Sequence, residues 1–299
     1  MTDPSPLRHA FASHPRQYET FRWAYPVLSR RSGGISLGVN LNPDRVCNFD
    51  CPYCQVDRRG EAPPSEVDPT GVALEVRELL ARIAHTGLAE VFPGVAAEDR
   101  PLVDVALSGD GEPTLRKEFP QVCRNLSDLR REWIENGGGA FKLVLITNAT
   151  MLDRAQVMVG LKAMCQDGGA EIWGKLDAGT DEFYQMVNVS RTPLSKVVAN
   201  LGETARWFPL RIQTLFFELD GRAPDRAETE AWLDRLDEIC QVGRPLGVQL
   251  HTVARKTSRA GCRPLPMEWL VEVAERVRRR TGLQVDCHGG IESGMIGAD

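Results

Sequence analysis

Three cysteines in one short stretch are the residues of this sequence best suited to chemistry. Cys47, Cys51 and Cys54 lie in the segment CNFDCPYC, with three and then two residues between them. Thiolates are soft ligands that suit zinc or an iron–sulfur cluster. A structural zinc site usually takes a fourth ligand from a second Cys-x-x-Cys or His-x-x-x-His pair, and none follows here. The spacing therefore favours a [4Fe–4S] cluster with one iron open to a small molecule. A zinc site completed from far away, or three buried thiols, are the alternatives.

Alternating strands and helices are expected to hold this stretch in place. Six apolar, β-rich segments are separated by helices with one apolar face, and the first segment leads directly into the cysteines. This alternation predicts a parallel sheet covered by helices, which right-handed crossovers curl into a barrel or part of one. The expected fold is α/β, a (β/α)6 partial barrel over residues 33–299, preceded by an irregular N-terminal extension over residues 1–32. The predicted strands are 33–41, 102–107, 141–146, 170–176, 210–218 and 246–253, with a short strand at 283–287.

Composition and charge limit the class of protein. Hydrophobic residues make up 42% and charged residues 26%, as in ordinary soluble proteins. No segment has the roughly 18 to 20 apolar residues of a membrane helix, residues 1–15 do not resemble a signal peptide, and the eight cysteines show no disulfide spacing. We therefore expect a cytoplasmic protein without a membrane partner. The net charge of −5 argues against a surface that binds nucleic acid throughout, although Arg255, Lys256, Arg259 and Arg263 form a local basic group.

Polar residues follow the predicted strands at their carboxyl ends, where parallel α/β proteins bind ligands. The segment SGDGEPT follows strand 102–107, and its glycines permit close approach of a ligand while Glu112 can accept hydrogen bonds from an ammonium group. A plain turn is the alternative. Thr147 and Asn148 follow the next strand and are also suited to cap a helix. On the strand after that, Lys175 and Asp177 share one face, either beside a ligand or as a surface salt bridge.

The cysteine pattern, with an aromatic residue just before the last cysteine, resembles the radical S-adenosylmethionine (SAM) superfamily. The resemblance implies that SAM binds the open iron through its amino and carboxylate groups. It also implies that an electron from a flavodoxin or ferredoxin cleaves SAM to methionine and a 5′-deoxyadenosyl radical, which abstracts hydrogen from a substrate. Lys175 is the candidate catalytic residue. The candidate SAM-binding residues are Tyr53, Gly109, Asp110, Gly111, Glu112, Thr147, Asn148, Asp177, Gln213 and Arg255.

Longer segments over residues 25–265 resemble the group related to the wyosine tRNA synthases, which implies a tRNA or nucleotide base as substrate. Those synthases hold a second cluster with upstream cysteines, and this chain has no cysteine before Cys47. The wyosine reaction itself is therefore not expected. Two alternatives remain: a radical SAM activase or peptide- or protein-modifying enzyme, and a non-catalytic zinc-binding module. Cys262 and Cys287 are weak candidates for a second metal site.

Overall fold

The structure of the chain is a computed structural model that describes residues 4–12, 15–58, 62 and 66–290. Its backbone forms two compact units. The first comprises Met1–Val46, Ala62–Ile146 and Arg154–Glu171, and the second comprises Cys47–Glu61, Thr147–Asp153 and Ile172–Asp299. None of the helices in the described part of the chain is long and apolar enough to cross a membrane.

The first unit is a four-stranded sheet with helices. Its strands are hydrogen-bonded in the order β1-β2-β3-β4, with β1 and β2 antiparallel and the later pairs parallel. The strands are β1 Ala24–Ser29, β2 Gly34–Val39, β3 Leu102–Leu107 and β4 Lys142–Thr147 (whose last residue belongs to the second unit). The helices are α1 Pro4–Ala12, α2 Pro69–Thr86, α3 Phe119–Glu135 and α4 Ala155–Cys165. Helix α3 packs against both α2 and α4.

Local sequence explains the limits of α2. The carboxylate of Asp68 accepts a hydrogen bond from the Thr70 N–H at 2.9 Å, and Pro69 occupies the first turn. Gly87 ends the helix in the left-handed region at φ 60°, where a residue without Cβ is favoured. Four apolar residues on one face of the helix are buried, namely Val72, Val76, Leu79 and Leu80.

Residues 1–32 were expected to be irregular, and for two segments this is wrong. Residues 4–12 form α1, and β1 pairs with β2 along its whole length. All six residues of β1 are buried, so the strand lacks the apolar–polar alternation that reveals a half-buried strand, and Pro26 interrupts it. The Glu75 carboxylate on α2 accepts hydrogen bonds from the backbone N–H groups of residues 22, 23 and 24, at 2.8–2.9 Å. The division of domains at residue 33 stays a prediction.

The second unit has a parallel sheet in the order β5-β6-β8-β10 and a small antiparallel pair, β7-β9. The predicted strand 210–218 is in fact two strands separated at Phe216. The strands are β5 Ala170–Lys175 (whose first two residues belong to the first unit), β6 Leu210–Leu215, β7 Phe217–Leu219, β8 Gly247–His251, β9 Cys262–Pro264 and β10 Val285–His288. The helices are α5 Asp181–Val187, α6 Leu194–Trp207, α7 Arg226–Val242 and α8 Met267–Thr281.

The two faces of β5 have different roles. A Cβ atom on Gly174 would lie 2.3 Å from the Leu201 Cδ2 atom, so this face of the strand packs directly against α6. Because side chains alternate along a strand, Trp173 and Lys175 point to the opposite face. Polar side chains on that face are therefore turned away from the helix layer.

Candidate functional site

The cysteine loop of the second unit is joined to the turn that follows α5. Phe49 forms a β-bridge with Ser190, and the Asp50 N–H donates to the Asn188 carbonyl oxygen at 3.0 Å. Cys51 is 8% exposed, whereas Cys47 and Cys54 are half-buried. The loop is therefore fixed by backbone pairing, and two of its three thiols lie near the surface.

Each of the three sulfur atoms receives at least one N–H donor. The backbone N–H of residue 49 points to Cys47 Sγ, and that of residue 56 points to Cys54 Sγ, each at 3.5 Å. The Asn188 amide lies 3.6 Å from Cys51 Sγ, and the Arg58 guanidinium lies 3.3 Å from Cys54 Sγ. N–H donors stabilise sulfur that carries negative charge, as it does when it ligates a metal.

Burial opposes ionisation of one thiol in this loop. It raises the pKa of Cys51 to about 12, so the isolated thiol stays protonated at neutral pH. Burial would lower the pKa of Arg58, but the nearby cysteine sulfurs, Cys54 first, raise it above its usual value. Coordination by a metal is a means of deprotonating a buried thiol.

A buried network of side chains lies behind Cys51. The Tyr53 hydroxyl donates to Asp177 Oδ2 at 2.5 Å, and the Asn188 amide donates to the same oxygen at 2.9 Å. The Asp177 side chain is 0% exposed, and Lys175 Nζ lies 3.5 Å from its carboxylate and 5.1 Å from the centre of the Tyr53 ring. Lys175 and Asp177 are therefore a buried ion pair and not the surface salt bridge that the sequence left open.

Thr147 and Asn148 shape the turn after β4 and do not cap α4, whose N-cap is Arg154. The side-chain Oδ1 of Asn148 accepts from the Thr150 N–H and hydroxyl at 3.1 and 2.8 Å, and Thr147 Oγ1 accepts from the N–H of residue 149 at 3.1 Å. The side-chain amide of Asn148 donates to Asn48 Oδ1 at 2.7 Å and lies 3.9 Å from Cys47 Sγ. The turn thus contacts the cysteine loop.

The loop after β3, in the first unit, is held by Asn40. A Cβ atom on Gly109 would lie 2.3 Å from Asn40 Oδ1, and the same oxygen accepts from the Asp110 N–H at 3.1 Å. The Asp110 carboxylate accepts from the Asn40 amide at 2.7 Å and from the Arg16 guanidinium at 2.8 Å. These contacts fix the backbone of the loop through residues far away in the sequence.

The second half of this loop is equally constrained. A Cβ atom on Gly111 would lie 2.0 Å from the Val46 carbonyl oxygen, which also accepts from the Glu112 N–H at 3.1 Å. Glu112 is 3% exposed, and its carboxylate accepts from the Thr114 N–H at 3.2 Å and from the Thr114 hydroxyl at 2.6 Å. Glycine is required at position 111 because no side chain fits there.

The remaining candidate residues lie on later strands and loops of the second unit. Gln213 is 2% exposed and donates to Gln249 Oε1 at 3.1 Å, and it is the register partner of Lys175 on β5. Arg255 is half-buried in the segment between β8 and β9. Cys262 lies on β9, and the Cys287 thiol on β10 lies 3.7 Å from a carbonyl oxygen of α8. The pair is therefore placed on two different sheets.

No three His, Cys, Asp or Glu side chains in the described ranges are arranged to hold a single metal ion. A [4Fe–4S] cluster takes each thiolate at a different iron, so its ligands stand farther apart than those of one ion. The three thiols on one loop, each with an N–H donor, fit a cluster of this kind.

The sequence did not single out several residues that the structure places at these loops. Asn48 adjoins the first cysteine, but Asn40, Asn188 and Arg16 lie far from the motifs that they contact. No local pattern marks them, because single asparagines are common in turns.

Comparison with known proteins gives the family and several relatives. The profile of the radical SAM superfamily matches residues 41–206. A protein named GTPase Obg from Brachyspira hyodysenteriae is 22% identical over 87% of this chain and 34% of its own length. The UPF0026 protein slr1464 of Synechocystis is 27% identical, over 79% and 77% respectively. The GTP 3′,8-cyclase of Acidothermus cellulolyticus is 26% identical, over 83% and 66%. The chain thus spans only about a third of the first of these relatives.

Two solved structures share the fold. TYW1 with a lysine-pyruvate adduct superimposes with a TM-score of 0.52 at 16% identity, over 83% of this chain and 74% of that one. SuiB of Streptococcus suis bound to SAM gives 0.56 at 12% identity, over 87% and 52%. These matches confirm the predicted α/β partial barrel. TYW1 is a wyosine tRNA synthase, so the predicted likeness to that group is found at the level of the fold.

The matched superfamily is the one that the cysteine pattern predicts. Its members are enzymes that use a [4Fe–4S] cluster and SAM, which confirms the cofactors and the enzyme class expected from the sequence. They generally require a reductant. A non-catalytic zinc module does not fit these findings.

Proposed function

Because the chain belongs to the radical SAM superfamily, we propose that it cleaves SAM reductively at a [4Fe–4S] cluster held by Cys47, Cys51 and Cys54. When bound, the cluster and SAM supply a 5′-deoxyadenosyl radical that abstracts hydrogen from a substrate. The observation that carries this assignment is the loop itself: three thiols within eight residues, each with an N–H donor directed at its sulfur.

We assign the loop after β3 to the SAM amino group. Gly109 and Gly111 leave no room for a side chain, and the buried Glu112 carboxylate is oriented by the hydrogen bonds that it accepts from the Thr114 N–H and hydroxyl. The backbone of Asp110 completes this loop, while its carboxylate serves Arg16 and Asn40. The role of the loop follows from the resemblance, and its rigid backbone supports that role.

The other candidate residues keep their proposed roles, and they differ in how closely they contact the cysteine loop. Thr147 and Asn148 adjoin the cysteine loop and remain candidates for SAM, as do Tyr53 and Asp177, which also order the network behind Cys51. Gln213 and Arg255 stay proposals as SAM-binding residues, and Lys175 stays the candidate catalytic residue. The Lys175 ammonium lies 3.5 Å from the buried Asp177 carboxylate, which restrains its position.

A tRNA or nucleotide base is the substrate class that we propose. The GTP 3′,8-cyclase relative acts on a nucleotide by its name, and residues 254–263 carry four basic and no acidic side chains. A flavodoxin or ferredoxin is the proposed reductant, and the cytoplasm the proposed location. Salt-dependent binding of bulk tRNA, with affinity falling as salt rises, would support this substrate class. Binding no tighter than that of an acidic protein of similar size would count against it.

The decisive experiment is anaerobic. The chain is reconstituted with iron and sulfide, mixed with SAM and dithionite, and analysed for 5′-deoxyadenosine and methionine. We expect product from the natural sequence and from Cys123→Ala, whose thiol is buried on α3, and none from Cys51→Ala. Equal product from both variants, or a protein that loads only zinc, would refute the assignment.

A further inference from the structure

A cavity of about 430 Å³ lies beside the cysteine loop, within the second unit. Its walls come from the loop itself, from the turn after α5 and from the segment between β8 and β9. The lining residues used below are Cys47, Asp50, Arg58, Arg191, Ser258 and Arg259.

The lining of the cavity carries an excess of positive charge. Three guanidinium groups line it against two carboxylates, those of Asp50 and Asp57. Arg259 is paired with Asp50, while Arg191 is exposed and makes no ion pair with any described residue. The adjoining residues 254–263 add further positive charge. An anionic group that entered would therefore meet an attractive potential.

The basic wall is attached directly to the cysteine loop. The Ser258 N–H donates to the Cys54 carbonyl oxygen at 2.7 Å, and the ion pair of Arg259 with Asp50 adds a second link. The Thr257 hydroxyl donates to the carbonyl oxygen of residue 259 at 2.6 Å and holds the turn between them. The segment that carries Arg259 is therefore joined to the cysteine loop at two points.

The cavity also borders the cysteine loop. Cys47 forms part of its wall, and Arg58, another wall residue, lies 3.3 Å from Cys54 Sγ. Electron transfer slows steeply with distance, so a reductant must approach the cluster ligands closely. A substrate must instead approach the 5′-carbon of SAM. Proximity to the sulfurs therefore favours an electron carrier over a substrate.

We propose that this cavity and its basic rim dock a small acidic electron-carrier protein. The proposal rests on the proposed function, because it takes Cys47, Cys51 and Cys54 as cluster ligands. The carrier gives up one electron and the cluster gains it, with no bond made or broken. Electron-transfer encounters are small and transient, and charge at the rim sets their rate and salt dependence.

The test uses the reconstituted protein and a bacterial flavodoxin, an acidic carrier. Binding of the flavodoxin is measured by titration, and its reduced form is used to follow cluster reduction by absorbance at several salt concentrations. The variants are Arg191→Glu and Arg259→Gln, and the matched control is Arg279→Glu, an exposed arginine on α8 that does not line the cavity. Dithionite provides reduction without a protein partner.

Arg191→Glu is expected to weaken flavodoxin binding and slow cluster reduction by about tenfold at low salt. Arg259→Gln should have a smaller effect in the same direction. Both should reduce with dithionite at the natural rate, and the control should match the natural protein throughout. The difference between Arg191→Glu and the natural protein should shrink as salt rises, because salt screens surface charge.

Three outcomes would overturn the proposal. Flavodoxin binding unchanged in both variants would show that the rim does not dock the carrier. Equal losses with flavodoxin and dithionite would place the defect in the cluster. Weaker tRNA binding with unchanged flavodoxin binding would make the cavity a phosphate site. A natural chain that loads no cluster refutes the proposed function as well, and the iron content distinguishes that case from the others.

Discussion

The two loops that carry the candidate residues are held in place by different means. In the first unit, residues 108–112 depend on backbone packing, since a Cβ on Gly111 would lie 2.0 Å from the Val46 carbonyl oxygen. In the second unit, the cysteine loop combines backbone pairing to the turn after α5 with side-chain donors, such as the Asn188 amide that reaches Cys51 from 137 positions away. Close packing around its glycines sets the first loop apart, and donors directed at its sulfur atoms set the second apart.

Because of this difference, the two loops are expected to tolerate different kinds of substitution. A loop fixed by close backbone packing fails when atoms are added, because no side chain can rotate away. A loop fixed by buried hydrogen bonds fails when a donor is removed, because the partner is left unsatisfied. The predictions that follow test this contrast in order of expected effect.

Loading the cluster should have the largest effect, and mainly on the cysteine loop. Amide hydrogen exchange over residues 48–56 is expected to slow by about tenfold or more when iron and sulfide are added, because binding ties three side chains together. Exchange over residues 109–112 should change by less than about twofold without SAM. Cys51→Ala, treated in the same way, should show neither change. Equal slowing of amide exchange in both loops would show that cluster loading does not distinguish them.

Among substitutions that add atoms, Gly111→Ala should destabilise the protein most. Its Cβ would overlap a backbone oxygen and would lower the free energy of unfolding by about 2 kcal/mol. Gly139→Ala is the control, because a Cβ there meets no atom within 4 Å. Urea unfolding of the two variants gives the comparison. A similar midpoint for both would mean that the loop yields easily.

Asn188→Ala should be the clearest removal of a donor. Losing its hydrogen bonds to Asp177 and Cys51 is expected to lower the free energy of unfolding by about 1–2 kcal/mol. It should also make the cluster midpoint potential more negative, because an N–H donor to sulfur favours the reduced state. Thr229→Ala removes a buried hydroxyl that bonds Asp225 and should leave the potential unchanged. An unchanged potential in Asn188→Ala would limit this residue to a structural role.

Val189→Asn should have the smallest effect, and a favourable one. Val189 lies next to Asn188 with φ 47°, in the left-handed region that a β-branched residue avoids. Asparagine tolerates this region, so the variant should unfold at a free energy higher by about 0.5–1 kcal/mol. Val159→Asn, on an exposed face of α4, should change it by less than about 0.5 kcal/mol. Lower stability in Val189→Asn would mean that the valine side chain makes packing contacts that outweigh the strain.

How much of each loop could be predicted from the sequence depends on whether the signal is local or comes from a distant residue. Glycine spacing and cysteine spacing are local, so both loops were found, and β3 was placed at its observed limits because a buried apolar run ends at polar residues. The two amides that contact the cysteine loop, Asn148 and Asn188, differ in this respect. Asn148 follows a predicted strand and was singled out, whereas Asn188 follows the short helix α5, which has no strong apolar stripe.

Strand β1 was missed for a related reason. Its burial on both faces and its proline hide the period of two, and pairing with β2 is a tertiary event that local propensity does not reveal. The buried pairing of Lys175 with Asp177 was anticipated only as one of two options. Sequence gives their shared face but not the depth at which that face lies.

Strand β1 also bears on how the protein avoids aggregation through its sheet edge. An open sheet edge offers unpaired N–H and C=O groups on which a second molecule can add a strand, the first step of many aggregates. Here β1 pairs with one edge of β2, and the Glu75 carboxylate accepts hydrogen bonds from the backbone N–H groups at the start of β1. Pro26 offers no N–H at all. The amino-terminal segment thus reduces the number of unpaired backbone groups through which two molecules could associate edge to edge.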